Sequence, residues 1–404
     1  MTAIVETDAK TGDQLARRNA VILAIAQTFG LANNVTLIAT ASIVGAMLAP
    51  DKALATLPAS VYVVGIWAGT IPVGLLAARL GRRTSCQIGT GFGVLSGLFC
   101  AAAVYFGSFA LLLIGAFANG FYSAAQQAYR FAAADTASEA FKPKAISWVL
   151  MGGVGGALFG PQLLMLTQDL LPPYLFLASY FVQSLMAVVA GGILAFLDVP
   201  KPTASAAAGG GRPLREILRQ PRFVAAVACG VASYGIMNMV MTSAPLAIVM
   251  CGHSTRDAAL GIQWHVLGMF VPSFFTGSLI ARFGVERVIA AGLVLLALSA
   301  VVDLSGLERA HFWTGLTLLG IGWNFGFIGA TAMVTQCYRP QERNTVQAFN
   351  DFLVFGTMAI GSFASGGLLA TYGWTWVNNM VFPMVAVAAT LLAWEWLRRR
   401  TYLA

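Results

Sequence analysis

Amides, hydroxyls and a few titratable groups interrupt long apolar runs at helical spacing. In the first run these are Gln27, Asn33, Asn34 and Thr36, and in the fourth they are Asn119, Tyr122, Gln126, Gln127 and Arg130. Tyr234, Asn238 and Thr242 follow one another every fourth residue of the seventh run, which puts them on one face of a helix. Later runs carry Gln263 and His265, then Trp323 and Asn324, then Asn350 and Asp351. A polar group inside an apolar helix is costly to desolvate, so it turns towards a wet cavity or bonds to another such group. Turned towards a cavity, these residues offer neutral donors, neutral acceptors and aromatic faces, with Met237, Met239 and Met241 beside them. Such a lining suits an amphipathic or aromatic organic solute better than a multiply charged one. For each residue taken singly, a structural hydrogen bond is the competing reading.

Titratable groups are scarcer. Of the 16 Asp and Glu residues nearly all fall outside the apolar runs, and none sits in the middle of one in the first half. Asp351 lies one to two turns into its run and Asp303 near the end of another. Proton coupling needs a buried group whose pKa is moved towards neutrality. Asp351 and His265 are the candidates, against a structural role in which Asp351 caps its helix or pairs with Arg339 or Arg343. The three histidines have no metal-ligand spacing, the five cysteines are scattered without a CxxC, and no Walker A loop is present. These features argue against an enzyme, an ATP-driven pump, a disulfide framework, a bound metal and any cofactor.

The elements that position these residues follow from composition. The 404 residues are 58% hydrophobic and 10% charged, with mean hydropathy +0.76. Too few charges remain to cover a water-facing surface, so lipid must face much of the chain. Apolar runs at 19–48, 57–80, 85–106, 109–131, 144–167, 174–197, 222–249, 258–281, 287–305, 312–335, 345–371 and 375–397 are each about long enough to cross ~30 Å of hydrocarbon. With the N-terminus inside, all of the 24 Lys and Arg residues except Lys52, Arg256 and Arg309 fall on the inner side. This bias predicts a multi-pass protein of the cytoplasmic (inner) membrane with both termini cytoplasmic. The net charge of +8 is spread over short clusters between runs, so it does not mark a nucleic-acid surface.

The expected organisation is a cytoplasmic tail at 1–18, a six-helix bundle at 19–198, a cytoplasmic linker at 199–221, a second six-helix bundle at 222–397 and a tail at 398–404. The linker opens with Pro200 and Pro202 and continues through an Ala/Gly run to Gly211. Leu214, Ile217 and Leu218 then share a face opposite Arg215 and Arg219, which reads as a helix on the membrane surface or as a frayed connector. Small residues that let helices approach closely recur as Gly65 and Gly69, as Gly152, Gly156 and Gly160 before Pro161, as Gly261, Gly268 and Gly277, and as Gly361 and Gly366.

The two halves repeat each other. Gly74, Leu75, Arg79, Gly81, Arg82 and Arg83 close the second run of the first half, and Gly277, Leu279, Arg282 and Gly284 close the second run of the other. A proline precedes each, Pro72 and Pro272, and Gly115 and Asn119 are echoed by Gly320 and Asn324. These loops resemble the signature of the major facilitator superfamily. With the six-plus-six layout, the resemblance covers essentially residues 17–400. It implies two six-helix bundles around a midplane cavity lined by the first, fourth, seventh and tenth helices, opening alternately to each side. Helices 2, 5, 8 and 11 would form the seam between the halves.

One departure bears on gating. The signature's acidic position is Ala78 here, and its second-half equivalent is Ala281. In the superfamily that carboxylate pairs with an Arg at the end of helix 4, for which Arg130 is the candidate; a plain marker of the membrane boundary is the competing reading of Arg130. The resemblance implies a cytoplasmic charge network of Arg79, Arg82, Arg83, Arg130 and Arg282, with Asp135 able to replace the missing acid by pairing with Arg82 or Arg83. Gly156, Gly160 and Pro161 match part of an antiporter motif, but Leu164 and Met165 stand at its last two glycines, so export by antiport is favoured only slightly. Around Gly120, the Arg and Gln of a drug-exporter motif are replaced by Ala116 and Asn119, which argues against a typical proton-driven drug exporter.

The chain is therefore read as an all-α membrane protein of twelve transmembrane helices. It is expected to act as a monomeric secondary transporter of a small organic solute, with protons as the candidate coupling ion. Import of a metabolite or vitamin by symport or uncoupled diffusion is the alternative. A non-transporting membrane sensor or assembly factor on the same fold is the rival of a different class.

Overall fold

Where water is absent, a backbone crossing a membrane must satisfy its own N–H and C=O groups, and an apolar run does so by forming a helix. The structure, a computed structural model, describes residues 2–51, 54–55, 57–200 and 211–403. Side chains at 2–12, 42, 255, 256, 259, 362–368, 370 and 400–403 lie outside that description, as do the linker residues 201–210, Lys52 and the surroundings of Gly366. The described residues form helices α1 (Thr2–Leu48), α2 (Leu57–Leu80), α3 (Arg82–Phe106), α4 (Phe109–Gln127), α5 (Tyr129–Ala134), α6 (Lys142–Thr167) and α7 (Leu177–Leu194). A short α8 (Leu214–Leu218) precedes α9 (Pro221–Met250), α10 (Thr255–Phe270), α11 (Ser273–Phe283), α12 (Val285–Ser305), α13 (Arg309–Val334), α14 (Arg343–Asn379) and α15 (Val381–Leu403).

Among the described residues, eleven stretches are long and apolar enough to cross a membrane. The part of α14 before Gly373, which includes 362–368, makes the twelfth crossing. Gly373 is the break that parts it from the last span, since its φ of 79° and ψ of 178° are non-helical. Exposed Phe106, Phe159, Leu166, Phe196, Phe274 and Val294 give the outside of the helices a lipid-compatible face.

Several boundaries differ from the sequence reading, each for a local reason. Residues 2–18 of the polar segment are the opening of α1, because their Ala, Lys, Gln, Leu and Arg residues favour helix and the lone Gly12 costs only about 1 kcal/mol. The run expected at 258–281 is broken into α10 and α11 at Pro272, which has no N–H to continue the ladder. At the start of α10, the Ser254 hydroxyl accepts from the Asp257 N–H at 3.1 Å and the Asp257 carboxylate accepts from the Ser254 N–H at 3.1 Å, a reciprocal cap. The turn expected at 81–83 is Gly81 alone, and Arg82 already belongs to α3. Gly81 (φ 88°, ψ 164°) and Gly284 (φ 89°, ψ 154°) adopt nearly the same backbone conformation, one open essentially only to glycine. The sequence repeat is thus a repeat of backbone geometry.

The chain divides into two compact units. One comprises Met1–Glu139, Trp148–Gly210 and Gln347–Phe352, and the other Ala140–Ser147, Gly211–Val346 and Leu353–Ala404. In the first unit, glycines bring helices into backbone contact. A Cβ on Gly65 would lie 2.5 Å from the Phe117 carbonyl oxygen, and one on Gly120 would lie 2.4 Å from that of Tyr62, so α2 and α4 touch directly. Gly69 faces Ala124 on α4, while Gly152, Gly156 and Gly160 of α6 face Ala24, Leu31 and Val35 of α1. These positions, assigned by the resemblance to a seam between halves, serve packing within the first unit. In the second unit Gly277 closes on the backbone of Pro143 and Lys144, whereas Gly361 has only ordinary contact with Gly235 at 3.8 Å. Gly120→Ala is expected to destabilise the protein by about 1–3 kcal/mol through overpacking. Gly91→Ala, which meets nothing within 4 Å, is expected not to. Thermal unfolding in detergent compares the two.

Candidate functional site

The amides of the first unit join into one buried chain of hydrogen bonds. Asn119 on α4 donates to Asn34 on α1 at 3.0 Å, and Asn34 donates to Gln126 at 2.6 Å and to the Ser123 hydroxyl at 3.3 Å. Gln126 donates to the Gln27 carbonyl at 3.2 Å, and Tyr62 of α2 donates to Ser123 at 3.1 Å. From α7, Gln183 donates to Ser96 at 3.2 Å and to Asn119 at 3.4 Å, and its backbone carbonyl accepts from Asn33 at 2.7 Å. Tyr122 is fully buried, with its hydroxyl close to Gly30. The network spans five helices. Three of its side-chain amide oxygens, on Gln27, Asn33 and Gln183, are buried with no hydrogen-bond partner among the described residues. A buried acceptor left unmade is costly and calls for an explanation, and a solute donor is one. Gln183, Ser96, Ser123 and Tyr62 were missed in the sequence. A lone amide in an otherwise apolar run, as Gln183 is, was the available signal.

The second unit holds an aromatic cluster instead. Trp323 of α13 stacks on Phe327 at a centroid distance of 5.1 Å and 20°. Tyr234 of α9 meets Trp323, Phe327 and Phe355 edge-on at 5.6, 5.0 and 5.1 Å. Phe270 approaches Trp323 at 6.0 Å, and the buried Trp323 indole nitrogen has no hydrogen-bond partner among the described residues. Asn324 is held from three sides: it donates to the Met269 carbonyl at 2.5 Å and to Ser273 at 2.6 Å, and accepts from Thr276 at 2.6 Å. Asn238 donates to the Met358 carbonyl at 3.3 Å, while the exposed Thr242 donates back to Asn238 at 2.6 Å. Gln263 is exposed, and His265 is buried with Nδ1 2.9 Å from the Leu316 carbonyl.

A third group is charged and belongs to the first unit. Arg82 Nε donates to Asp135 at 2.8 Å, and its Nη2 donates to Gln347. Arg130 Nη2 donates to Asp351 at 2.5 Å, while Asn350 donates to the same carboxylate oxygen at 3.0 Å. The helix interruption at Ala128 starts α5 at Tyr129 and sets Arg130 in place, with its guanidinium 4.6 Å from the Phe131 ring centroid. Both ion pairs are buried. Asp351 meets Arg130 rather than Arg339 or Arg343, its neighbours in sequence. Asp135, at the end of α5, supplies an acid to the loop that has Ala78 in place of one. Arg79, Arg83 and Arg282 are exposed, and Arg282 lies 5.2 Å from the Phe283 ring centroid.

The second unit also clasps the end of the linker. Glu342 accepts from the Arg212 backbone N–H at 2.8 Å, from Arg212 Nε at 3.0 Å and Nη2 at 2.8 Å, and from the Arg339 N–H at 2.9 Å. Hydrogen bonds from the Arg212 side chain, aided by those backbone donors, hold the Glu342 carboxyl at about 2, against an ordinary 4.5. A lowered pKa in the folded state stabilises above the unfolded value and is lost as pH falls through the folded one. The gap in unfolding midpoint between the wild type and Glu342→Gln is therefore expected to be full above pH 4.5 and to close as pH approaches about 2. Midpoints measured across an acid series test it. Among the described residues, no three His, Cys, Asp or Glu side chains are placed to hold a metal ion.

Comparison with known proteins decides the class. A family model described as Major Facilitator Superfamily matches residues 20–264 and 258–403. The chain belongs to that superfamily. Riboflavin transporter RfnT of Brucella anthropi is 48% identical over 374 residues, covering 92% of this chain and 94% of the relative. An uncharacterized MFS-type transporter of Bacillus subtilis, YddS, is 29% identical over 388 residues, 90% of this chain and 87% of its own. Among solved structures, the proton:xylose symporter XylE superposes with TM-score 0.75 at 13% identity, covering 95% of this chain and 96% of that one. The human organic anion transporter MFSD10 gives 0.72 at 16% identity, with 93% and 99% covered. At such identities the likeness is one of fold. This superfamily member is a multi-pass membrane transporter of a small molecule, and not an enzyme.

Proposed function

We propose that this transporter carries riboflavin across the cytoplasmic membrane by alternating access, with both termini on the cytoplasmic side. The observation that carries the reading is the 48% identity to RfnT over nearly the whole of both chains. Each unit, taken by itself, holds residues with chemistry that part of such a solute requires. Tyr234, Trp323 and Phe327 offer rigid aromatic surface and an unbonded indole N–H to a flat heteroaromatic ring carrying carbonyl acceptors. Gln27, Asn33 and Gln183 offer amide oxygens to the hydroxyls of a polyol chain, with Asn34, Asn119 and Gln126 fixing their surroundings. Neither set holds a net charge, which suits a neutral vitamin.

Arg130–Asp351 and Arg82–Asp135 are read as the gating contacts that replace the missing loop acid. The glycines at 152, 156 and 160 pack α6 on α1, which accounts for them without invoking exchange. Flavin fluorescence tests the reading directly. Purified protein in detergent is expected to quench riboflavin emission saturably, and an excess of unlabelled aromatic drugs is expected not to compete. Absence of saturable quenching by folded protein would remove the assignment.

A further inference from the structure

Asp303 is a buried carboxyl with 1% of its surface exposed, and neither of its oxygens has a hydrogen-bond partner among the described residues. It lies near the end of α12 against α13. The contact is made by Gly315: a Cβ there would lie 2.1 Å from Oδ1 and 2.8 Å from Oδ2, so the carboxyl occupies the space of the absent side chain. About one turn on, at Gly306 just past the end of α12, the His311 ring covers the glycine, where a Cβ would lie 2.4 Å from Cε1, and the buried Nδ1 of His311 has no partner among the described residues. Asp303 and His311 therefore share one groove between antiparallel helices, offset by about one ~5.4 Å turn. We propose that Asp303 is the site at which this transporter takes up and releases a proton, with His311 as the group that passes the proton between the carboxyl and the α12–α13 turn.

Among the described residues, the surroundings supply no standing countercharge. At the α12–α13 turn, Arg309 is directed to Asp257 at 3.5 Å, and Glu308, an acid rather than a cation, stands just before α13 without a side-chain cap bond. From the connection between α9 and α10 come Cys251 and His253, and His253 Nε2 lies 2.7 Å from the Leu307 carbonyl. The charges of α9 and α15 gather at the other end of α12. There Arg222 pairs with Glu286 at 2.9 Å and with Glu395 at 2.8 Å, and Arg399 reaches Glu286 at 3.2 Å. Glu286 is about 25 Å along the helix from Asp303, at ~1.5 Å per residue. Arg282 of α11 precedes α12 at that same far end, and Tyr234 of α9 meets Phe327 edge-on at 5.0 Å. A carboxylate ion buried without donor or cation is costly, whereas a carboxylic acid in the same place is tolerable. Asp351 differs, because Arg130 already meets its charge. Binding adds one proton to one carboxylate oxygen and release returns it, with no other reactant.

The functional part of this inference rests on the riboflavin reading, so two measurements separate them. Infrared difference spectra of the purified full chain, wild type minus Asp303→Asn at neutral pH, are expected to show the carbonyl band of a protonated carboxyl. Carboxylate bands alone would overturn the proposal whatever the solute is. In proteoliposomes, riboflavin counterflow without a pH gradient is expected to be unchanged in Asp303→Asn, whereas the response of net flux to an imposed pH gradient is expected to vanish. Gly315→Ala, which must push the carboxyl from its seat, serves as the second variant and is expected to weaken the same response. A gradient response retained at full size in both variants would overturn the proposal. Failure of wild-type counterflow would count instead against riboflavin as the solute.

Discussion

Replacing Arg130 with alanine is expected to destabilise the transporter by about 3–5 kcal/mol and to abolish flux. The magnitude follows from what would be left behind: the Asp351 carboxylate, buried and paired to Arg130 at 2.5 Å, would lose its cation. The Asn350 amide at 3.0 Å donates to the same oxygen, but a neutral donor cannot compensate the charge. Asp351→Ala strands the guanidinium instead and is expected to cost a similar amount, because Arg130 is 1% exposed. A double-mutant cycle on unfolding free energy therefore shows strong coupling between the two positions. The apolar pair Arg130→Met with Asp351→Leu is expected to regain most of the stability, since well-packed apolar residues often replace a buried ion pair without loss. If the pair gates transport, that doubly substituted protein stays folded and carries nothing. Restored flux in it would reduce the ion pair to a structural element.

Trp323→Ala carries the second large effect, through packing. The indole is 2% exposed, stacks on Phe327 at 5.1 Å and is met by Tyr234 and Phe270. Deleting it leaves a cavity that neighbouring helices cannot close, a loss of about 3–5 kcal/mol. Riboflavin affinity is expected to fall by roughly tenfold or more, the equivalent of one lost ring contact of ~1.4 kcal/mol. Trp323→Phe separates the two consequences. It keeps an aromatic face, so most stability returns, but the indole N–H is gone and affinity stays reduced. Flavin titrations of both variants, alongside their unfolding midpoints, check this. Wild-type affinity in Trp323→Phe would show that the unbonded nitrogen plays no part in binding.

Which parts were legible in the sequence depended on the range of the interaction. Span positions and the repeated loop rest on local chemistry. A single glycine with positive φ at Gly81 and again at Gly284 leaves a visible trace, because few other residues tolerate that backbone. The break at Pro272 was marked by the proline itself, although a hydropathy window runs straight over it. The helical start of the chain left no mark in a hydropathy reading, because helix propensity does not depend on hydrophobicity.

Partnerships over long sequence separations were far less legible. Arg130 and Asp351 are 221 residues apart, and nothing near either names the other. Gln183 joins Asn119 and Ser96 from the sixth crossing, which the resemblance does not place at the cavity. The cluster around Trp323 draws on four separate helices. The seat of Asp303 on Gly315 was invisible for the same reason, since a glycine's use depends on what lies across from it. The loss of acid at Ala78 shows the same limit from the other side. The local motif is broken, yet Asp135, 53 residues after Arg82, restores a carboxylate to that arginine.

Riboflavin counterflow in proteoliposomes tests the central claim most directly. Vesicles holding the purified full chain are loaded with unlabelled riboflavin and diluted into a trace of labelled riboflavin. A transient accumulation of label above equilibrium, absent from protein-free vesicles and from the folded Arg130→Met, Asp351→Leu protein, is the predicted result. No accumulation with wild-type protein shown to be folded and inserted would contradict the account.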